Sequence, residues 1–352
     1  MAVLCTTAGC LLPQPPPTVN AVTVCGNGTT FCLGGNSFYP YGAAFYSSTS
    51  QSGITSNPAG AIALAQKQHL NTVRVVNFLP HDLQSGFTTP VAQATNDRFW
   101  LGADAFIADA QHAGLHAWLD LSDFKQLLLN SCTNPYAPSM YPAWDAYVRF
   151  AAERVNTITG ADYGSDAEIA WVAFAGEPYP PGTWGPGANP AGWPTTCPSA
   201  LIYTSTDLTA FYAHVEASWK VYSPLPTMPG GLSYLDLSHN GINYQAIFGN
   251  ANNDICGFKT YGGMEAWLAT GVRYCSQTLH KPSVNVEWGY QQGVGDATRA
   301  ADFKGQFANN AAAGVAGSFY WNAGYQSATT GYDVANGTLT PLTFDAVVKS
   351  AP

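Results

Sequence analysis

The sequence predicts an α/β chain folded as a (β/α)8 TIM barrel, with an N-terminal β-hairpin closing the barrel bottom. Three observations predict it. Eight short apolar runs rich in β-branched and aromatic residues recur along the chain. Amphipathic helical stretches alternate with them, which is the pattern of parallel strands covered by helices. The alternative, a doubly wound open sheet, would carry a glycine fingerprint after its first strand. Here Gly42 is followed by Ala43-Ala44-Phe45, so that fingerprint is missing.

The elements follow in order. Residues 13–18, Pro-Gln-Pro-Pro-Pro-Thr, read as a stiff linker, so residues 1–18 are assigned to an N-terminal segment and 19–352 to a single barrel domain. Val22 and Val24 face Phe31 and Leu33 across Gly26-Asn27-Gly28, a good hairpin turn. Barrel strands are expected at 40–46, 72–79, 116–121, 169–175, weakly near 228–236, then at 255–261, 283–288 and 316–322. Helices are expected at 60–69, 97–113, 142–157, 207–222, 263–275, 297–313 and 341–349. Asn96 and Asp97 supply a cap and an acidic first turn for the second of these, and Gly114 ends it. Residues 179–200 (YPPGTWGPGANPAGWPTTCPSA) read as one long structureless stretch, a length that usually signals function.

Composition excludes several classes. The net charge is −9 with only 13 Lys and Arg, which argues against a nucleic-acid surface or a basic membrane patch. No apolar run reaches about 18 residues, so no membrane span is expected. Eight cysteines with no C-x-x-C pair read as disulfides, and hence as a secreted, extracellular protein. Met1–Leu12 lacks the character of a signal peptide, so a leader is expected to have been removed. Local bridges are expected for Cys25–Cys32 and Cys256–Cys275; Cys132–Cys197 and Cys5–Cys10 would take the remainder, although spacing alone does not fix connectivity. No metal is expected: the seven His are scattered, and Gly114 separates His112 from His116. A Gly-x-Ser-x-Gly elbow and a phosphate-binding glycine loop are both missing, so no cofactor is expected. The protein is expected to be a monomer.

Barrel enzymes place their chemistry at the C-terminal ends of strands. The chain has six Glu, and only Glu177 and Glu287 end apolar strands, after IAWVAFAG and VNV. Two partly desolvated carboxyls at one mouth are what acid/base cleavage of a glycosidic bond requires. The competing reading makes each a helix cap or a partner of Arg74.

On NTVRVVNF (71–78), AFAGEP (173–178) and VNVEWG (284–289), the sequence resembles the clan A glycoside hydrolases, most of all family 5, the cellulase and β-mannanase family. The resemblance spans residues 19 to about 350. It implies Glu177 as acid/base and Glu287 as nucleophile. It also implies Arg74 and Tyr261 as supports of the nucleophile and Trp321 as the floor of the −1 subsite. Two departures stand in the motifs. Gly176 replaces the family's Asn before the acid/base, and Lys259 replaces its strand-six His. Asn77 and Lys259 are the candidates for a replacement contact to the sugar. Trp184, Trp193 and Trp288 read either as sugar platforms or as packing residues, and Asp123 either as a sugar ligand or as the partner of a Lys or Arg. The function expected is a retaining β-glycosidase acting on a poly- or oligosaccharide, leaning to an endo-β-1,4-mannanase. A β-glucanase, an exo-glycosidase, a transglycosylase and a non-catalytic carbohydrate-binding barrel are the alternatives.

Overall fold

The computed structural model describes residues 21–45, 57–179, 181–184, 201–232, 241–261, 265–325, 331–335 and 337–352. Three short antiparallel strands come first: β1 (Val22–Val24), β2 (Phe31–Leu33) and β3 (Asn36–Phe38). Asn27 builds the turn between the first two by accepting from the backbone N–H of Thr29 and Thr30. Cys25–Cys32 staples that hairpin with a Cα separation of 5.2 Å.

Eight parallel strands form the main sheet: β4 (Tyr41–Ala44), β5 (Thr72–Val75), β6 (His116–Asp120), β7 (Ile169–Phe174), β10 (Thr227–Pro229), β11 (Cys256–Lys259), β12 (Ser283–Trp288) and β13 (Gly317–Tyr320). They are joined edge to edge in the order β10-β7-β6-β5-β4-β13-β12-β11. The two outer strands meet through Leu232, whose N–H donates to Gly257 O and whose carbonyl accepts from the Lys259 N–H, both at 2.9 Å. That contact closes the barrel, so the sheet has no free edge. Every described residue of the eight strands is buried, which explains the continuous apolar runs. Inside the lower barrel, Phe31 of the N-terminal sheet stacks on Trp171 at 5.2 Å, and Trp118 and Phe319 complete the layer. This is how the N-terminal strands close the barrel bottom.

The helices are α1 (Pro58–Lys67), α2 (Pro90–Ala94), α3 (Leu101–His112), α4 (Ser122–Asn130), α5 (Tyr141–Glu153), α6 (Ser205–Tyr222), α7 (Tyr244–Phe248), α8 (Glu265–Tyr274), α9 (Asp296–Ala313) and α10 (Pro341–Lys349). The helix expected at 97–113 is broken. A 3-10 turn covers Asp97–Phe99, and Trp100 then drops its indole into the core, with Nε1 donating to Ala94 O at 2.8 Å. Helix α4 is not among the helices expected from the sequence; it follows β6 after a single residue, Leu121. The weak fifth strand is three residues long, Thr227–Pro229, and overlaps the expected 228–236 only at its start, with 233–240 outside the described residues.

The stretch 179–200 is not wholly structureless. Within it β8 (Gly182–Trp184) pairs antiparallel with β9 (Leu201–Tyr203), a clip hidden by the density of Gly and Pro. Cys256–Cys275 is formed, joining β11 to the turn after α8. Cys132 is also disulfide-bonded. Its expected partner Cys197, and the pair Cys5–Cys10, lie outside the described residues, as does Trp193. Among the described residues no helix is long and apolar enough to cross a membrane.

Candidate active site

The C-terminal ends of the strands converge on a cavity of about 200 Å³. Arg74, Asn77, Asp123, Gly176, Glu177, Lys259, Glu287 and Trp321 all line it, with His81, Ser122, Lys125 and Gln126. The backbone turns sharply where it enters this mouth. Asn77, Ala175 and Glu177 each have positive φ, at 58°, 46° and 51°. Left-handed non-glycine residues cost conformational energy and cluster at functional sites. These turns also explain why the strands stop short of the apolar runs that announce them: β5 ends at Val75 and β7 at Phe174.

Glu287 is the most heavily held group. Its side chain is only 9% exposed. Oε2 accepts from Arg74 Nη1 and from Lys259 Nζ, the latter at 2.8 Å. Oε1 accepts from the Tyr261 hydroxyl at 2.8 Å. Lys259 and Glu287 are register partners on β11 and β12, so the sheet itself delivers this contact. The sequence predicts partial desolvation at Glu287, which by itself raises a carboxyl. Burial does push that way, but Lys259 and Arg74 overcome it and hold the carboxyl at about 2. Tyr261 is pushed well above its ordinary value by burial and by Glu287, so it stays a donor.

Arg74 is fixed from the other side. Its Nε and Nη2 donate to Asp120 Oδ2 at 2.9 and 2.6 Å, and its guanidinium lies 5.0 Å over the Trp118 ring. Burial opposes its charge, yet Asp120 and Glu287 hold it above its ordinary value. Asp120 Oδ1 accepts from the Ser122 N–H at 3.0 Å and from the Ser122 hydroxyl. Ser122 Oγ in turn accepts from the Gly176 N–H at 2.6 Å. A continuous chain of polar contacts thus runs from Glu287 through Arg74, Asp120 and Ser122 to the residue before Glu177.

Glu177 differs from Glu287 in almost every respect. Its side chain is 53% exposed, and its one described ion pair is with Lys259 Nζ at 3.3 Å. Its main chain is pinned by Lys125, a buried side chain whose Nζ donates to the carbonyls of Gly176 and of Glu177, the latter at 2.9 Å. Burial pulls Lys125 down to about 8. One carboxyl is therefore locked and anionic, while the other faces solvent on a braced turn.

The remaining expected site residues fall as follows. Asp123 is buried, and its Oδ2 accepts from the N–H groups of Phe78 and Leu79 at 2.8 and 3.1 Å. Its Oδ1 pairs with His81 Nε2 at 3.1 Å, which raises His81 against the effect of burial. Trp288 lies in the core rather than on the cavity wall. It is fully buried among Phe303, Phe307 and Tyr320, with Nε1 donating to Ser318 Oγ at 2.9 Å. A strand residue next to one that faces the mouth must point the other way, which gives the reason. Trp184 ends β8. His81 and Gln126 escaped the sequence reading, because neither ends an apolar run. Among the described residues no cluster of three or more His, Cys, Asp or Glu could hold a metal.

Scanned against models of known protein families, the chain matches none, and no curated protein matches it in sequence. Its backbone does match solved structures. An endo-1,4-β-mannanase from Rhizomucor miehei superposes with a TM-score of 0.67 at 17% identity, covering 94% of this chain and 99% of that one. A glycoside hydrolase family 5 mannosidase from the same organism gives 0.67 at 14% identity, over 94% and 97%. The catalytic domain of the major endoglucanase from Xanthomonas campestris gives 0.59 at 15%, over 90% and 96%. The chain thus shares the (β/α)8 fold of these mannanases and endoglucanases.

Proposed function

We propose that the protein is a retaining β-glycosidase in which Glu287 is the nucleophile and Glu177 the acid/base. One observation carries the reading: a single ammonium, Lys259 Nζ, sits 2.8 Å from Glu287 Oε2 and 3.3 Å from Glu177 Oε2. The two oxygens cannot be farther apart than those distances combined. That limit on one oxygen of each carboxyl supports the closer spacing of about 5–5.5 Å found in retaining pairs over the about 6.5–9.5 Å of inverting ones.

The chemistry follows from the asymmetry of the pair. Glu287, held ionised, attacks the anomeric carbon through Oε1 while Glu177 gives its proton to the glycosidic oxygen. The carbon–oxygen bond breaks and the leaving alcohol departs with that proton. Glu177, now a carboxylate, takes a proton from water, whose oxygen attacks the same carbon and releases Glu287. Arg74 and Lys259 hold the nucleophile anionic, and Tyr261 orients it. Trp321 lines the cavity and offers a flat surface to a sugar ring.

The cavity is smaller than the roughly 300–1,000 Å³ of pockets for drug-sized ligands, and it suits one ring at the reacting centre. β-Mannan is the substrate we favour, supported by the fold shared with the two Rhizomucor enzymes; β-glucan is the alternative. The disulfides support a secreted enzyme. The test is product release from β-mannan, β-glucan and xylan by wild type, Glu177→Gln and Glu287→Gln. Cleavage of one polymer, with loss of several orders of magnitude in both variants, is the expected result. Equal cleavage by wild type and both variants would overturn the site. Binding without cleavage by wild type would leave a carbohydrate-binding barrel.

A further inference from the structure

Glu177 is aimed by its backbone. Its side chain is half exposed and makes one described ion pair, whereas the Glu287 side chain is held at both oxygens. The main chain beneath Glu177 is an unfavourable turn, with φ of 46° at Ala175 and 51° at Glu177. Left-handed non-glycine residues persist only where the surroundings over-determine them. Tyr212, Ser122, Gly231 and Lys125 do so here. The Tyr212 hydroxyl on α6 donates to Ala175 O at 2.8 Å. Gly176 N–H donates to Ser122 Oγ at 2.6 Å, and Glu177 N–H to Gly231 O at 3.1 Å. Lys125 Nζ donates to the next two carbonyls, those of Gly176 and Glu177.

Lys125 differs from the other three in kind. Two successive carbonyl oxygens that converge on one point repel each other unless a cation stands between them. The ammonium is that cation. It comes from α4, is buried, and forms no ion pair among the described residues; the Tyr179 ring lies 5.7 Å from it. Glu177, Asp120 and Asp123 favour its charge from farther away, against burial and Lys259. A buried cation without a carboxylate against it is costly, and packing alone would be served by an uncharged side chain. The cost points to a task at the turn. Proton transfer needs the Glu177 carboxyl within hydrogen-bond reach of the leaving oxygen, and a misplacement of about 1 Å can cost about 100-fold in rate.

Resting on the glycosidase reading above, we infer that Lys125 is a positioning residue for the acid/base: by holding the Gly176 and Glu177 carbonyls together, its ammonium aims the Glu177 carboxyl at the glycosidic oxygen. It acts through Glu177, so its loss weighs most on the step in which the leaving group receives a proton.

The test compares kcat/KM of wild type, Lys125→Met, Lys125→Gln and Glu177→Gln on 2,4-dinitrophenyl and phenyl β-mannosides, with the corresponding β-glucosides run beside them. Dinitrophenolate leaves without a proton, whereas the phenyl glycosides need one from Glu177. Both Lys125 variants should lose rate on every probe, and the phenyl probes should lose about 10- to 100-fold more than the dinitrophenyl ones, in the same direction as Glu177→Gln. Each comparison is a ratio within one enzyme sample, so an unfolded fraction cancels. An equal loss on the two leaving groups, or no loss, overturns the inference, and a split that persists in Glu177→Gln then leaves the glycosidase reading intact. Absence of a split in Glu177→Gln, or failure of wild type to turn over any probe, overturns both.

Discussion

Gly176 and Gly230 pack backbone against backbone: a Cβ on Gly176 would lie 2.3 Å from the carbonyl oxygen of Gly230. The reverse approach is as close, since a Cβ on Gly230 would lie 2.6 Å from Gly176 N. Neither chain can retreat easily. The Gly176 N–H is bonded to Ser122 Oγ, and Gly230 N–H donates to Phe174 O at 2.7 Å. The glycine before Glu177 is thus a packing requirement, and the side chain that the family carries there has no room.

Gly176→Ala should therefore cost about 1–3 kcal/mol of stability, and Gly176→Asn at least as much. Activity should fall as well, because the turn carrying Glu177 would shift. Denaturant titration of both variants checks this. Wild-type stability in Gly176→Asn would show that the wall is more pliant than the contact distances allow.

Arg74→Met removes one of the two cations on Glu287 Oε2 and leaves Asp120 buried without its partner. We expect kcat/KM to fall by about 10²–10³. The pH dependence should move too. Glu287 is held at about 2, and without Arg74 it rises toward 4.5. A nucleophile must be ionised, so activity is lost as pH falls through its pKa. The acid limb of kcat/KM should accordingly appear at higher pH in the variant than in wild type. An unmoved limb would show that Lys259 alone sets the charge of the nucleophile.

Tyr261→Phe deletes the described hydrogen bond to Glu287 Oε1 and changes no charge. It should lower kcat by about ten- to hundredfold with little change in KM, because the contact steers attack rather than binding. A rise in KM at constant kcat would instead make Tyr261 a substrate-binding group.

Glu216 lies far from this chemistry and governs pH stability. It is fully buried on α6, and accepts from Asn250 Nδ2 at 2.6 Å and Asn253 Nδ2 at 3.0 Å. Burial pushes it from 4.5 to about 8. The folded chain keeps a proton that the unfolded chain releases near 4.5. The stability that this proton brings is complete below about pH 4.5 and fades as pH rises to about 8. Glu216→Gln should hold its unfolding temperature through that window while wild type declines. Parallel declines would place the titration elsewhere.

Much of this architecture can be read in the residues. Continuous apolar runs identify the strands because a barrel buries both faces, and the two Glu that end such runs both line the cavity. What resists reading is what depends on neighbours. Lys259 reads as a candidate contact to the sugar, and only the strand register shows that it stands opposite Glu287 as its ion partner. Asp120 ends an apolar strand as the two Glu do, and only the fold shows that Arg74 occupies it. Trp288 adjoins a mouth residue in sequence, and strand alternation sends it into the core. Gly176 reads as a missing side chain, although Gly230 leaves no space for one.

The most direct measurement is mass spectrometry of the enzyme after exposure to a 2-deoxy-2-fluoro glycoside with a dinitrophenyl leaving group. The fluorine slows release of the covalent intermediate more than its formation. The account predicts one glycosyl unit per chain, on the peptide holding Glu287 and on that side chain. Turnover with an inverted anomeric product, or a label carried by another residue, would contradict it.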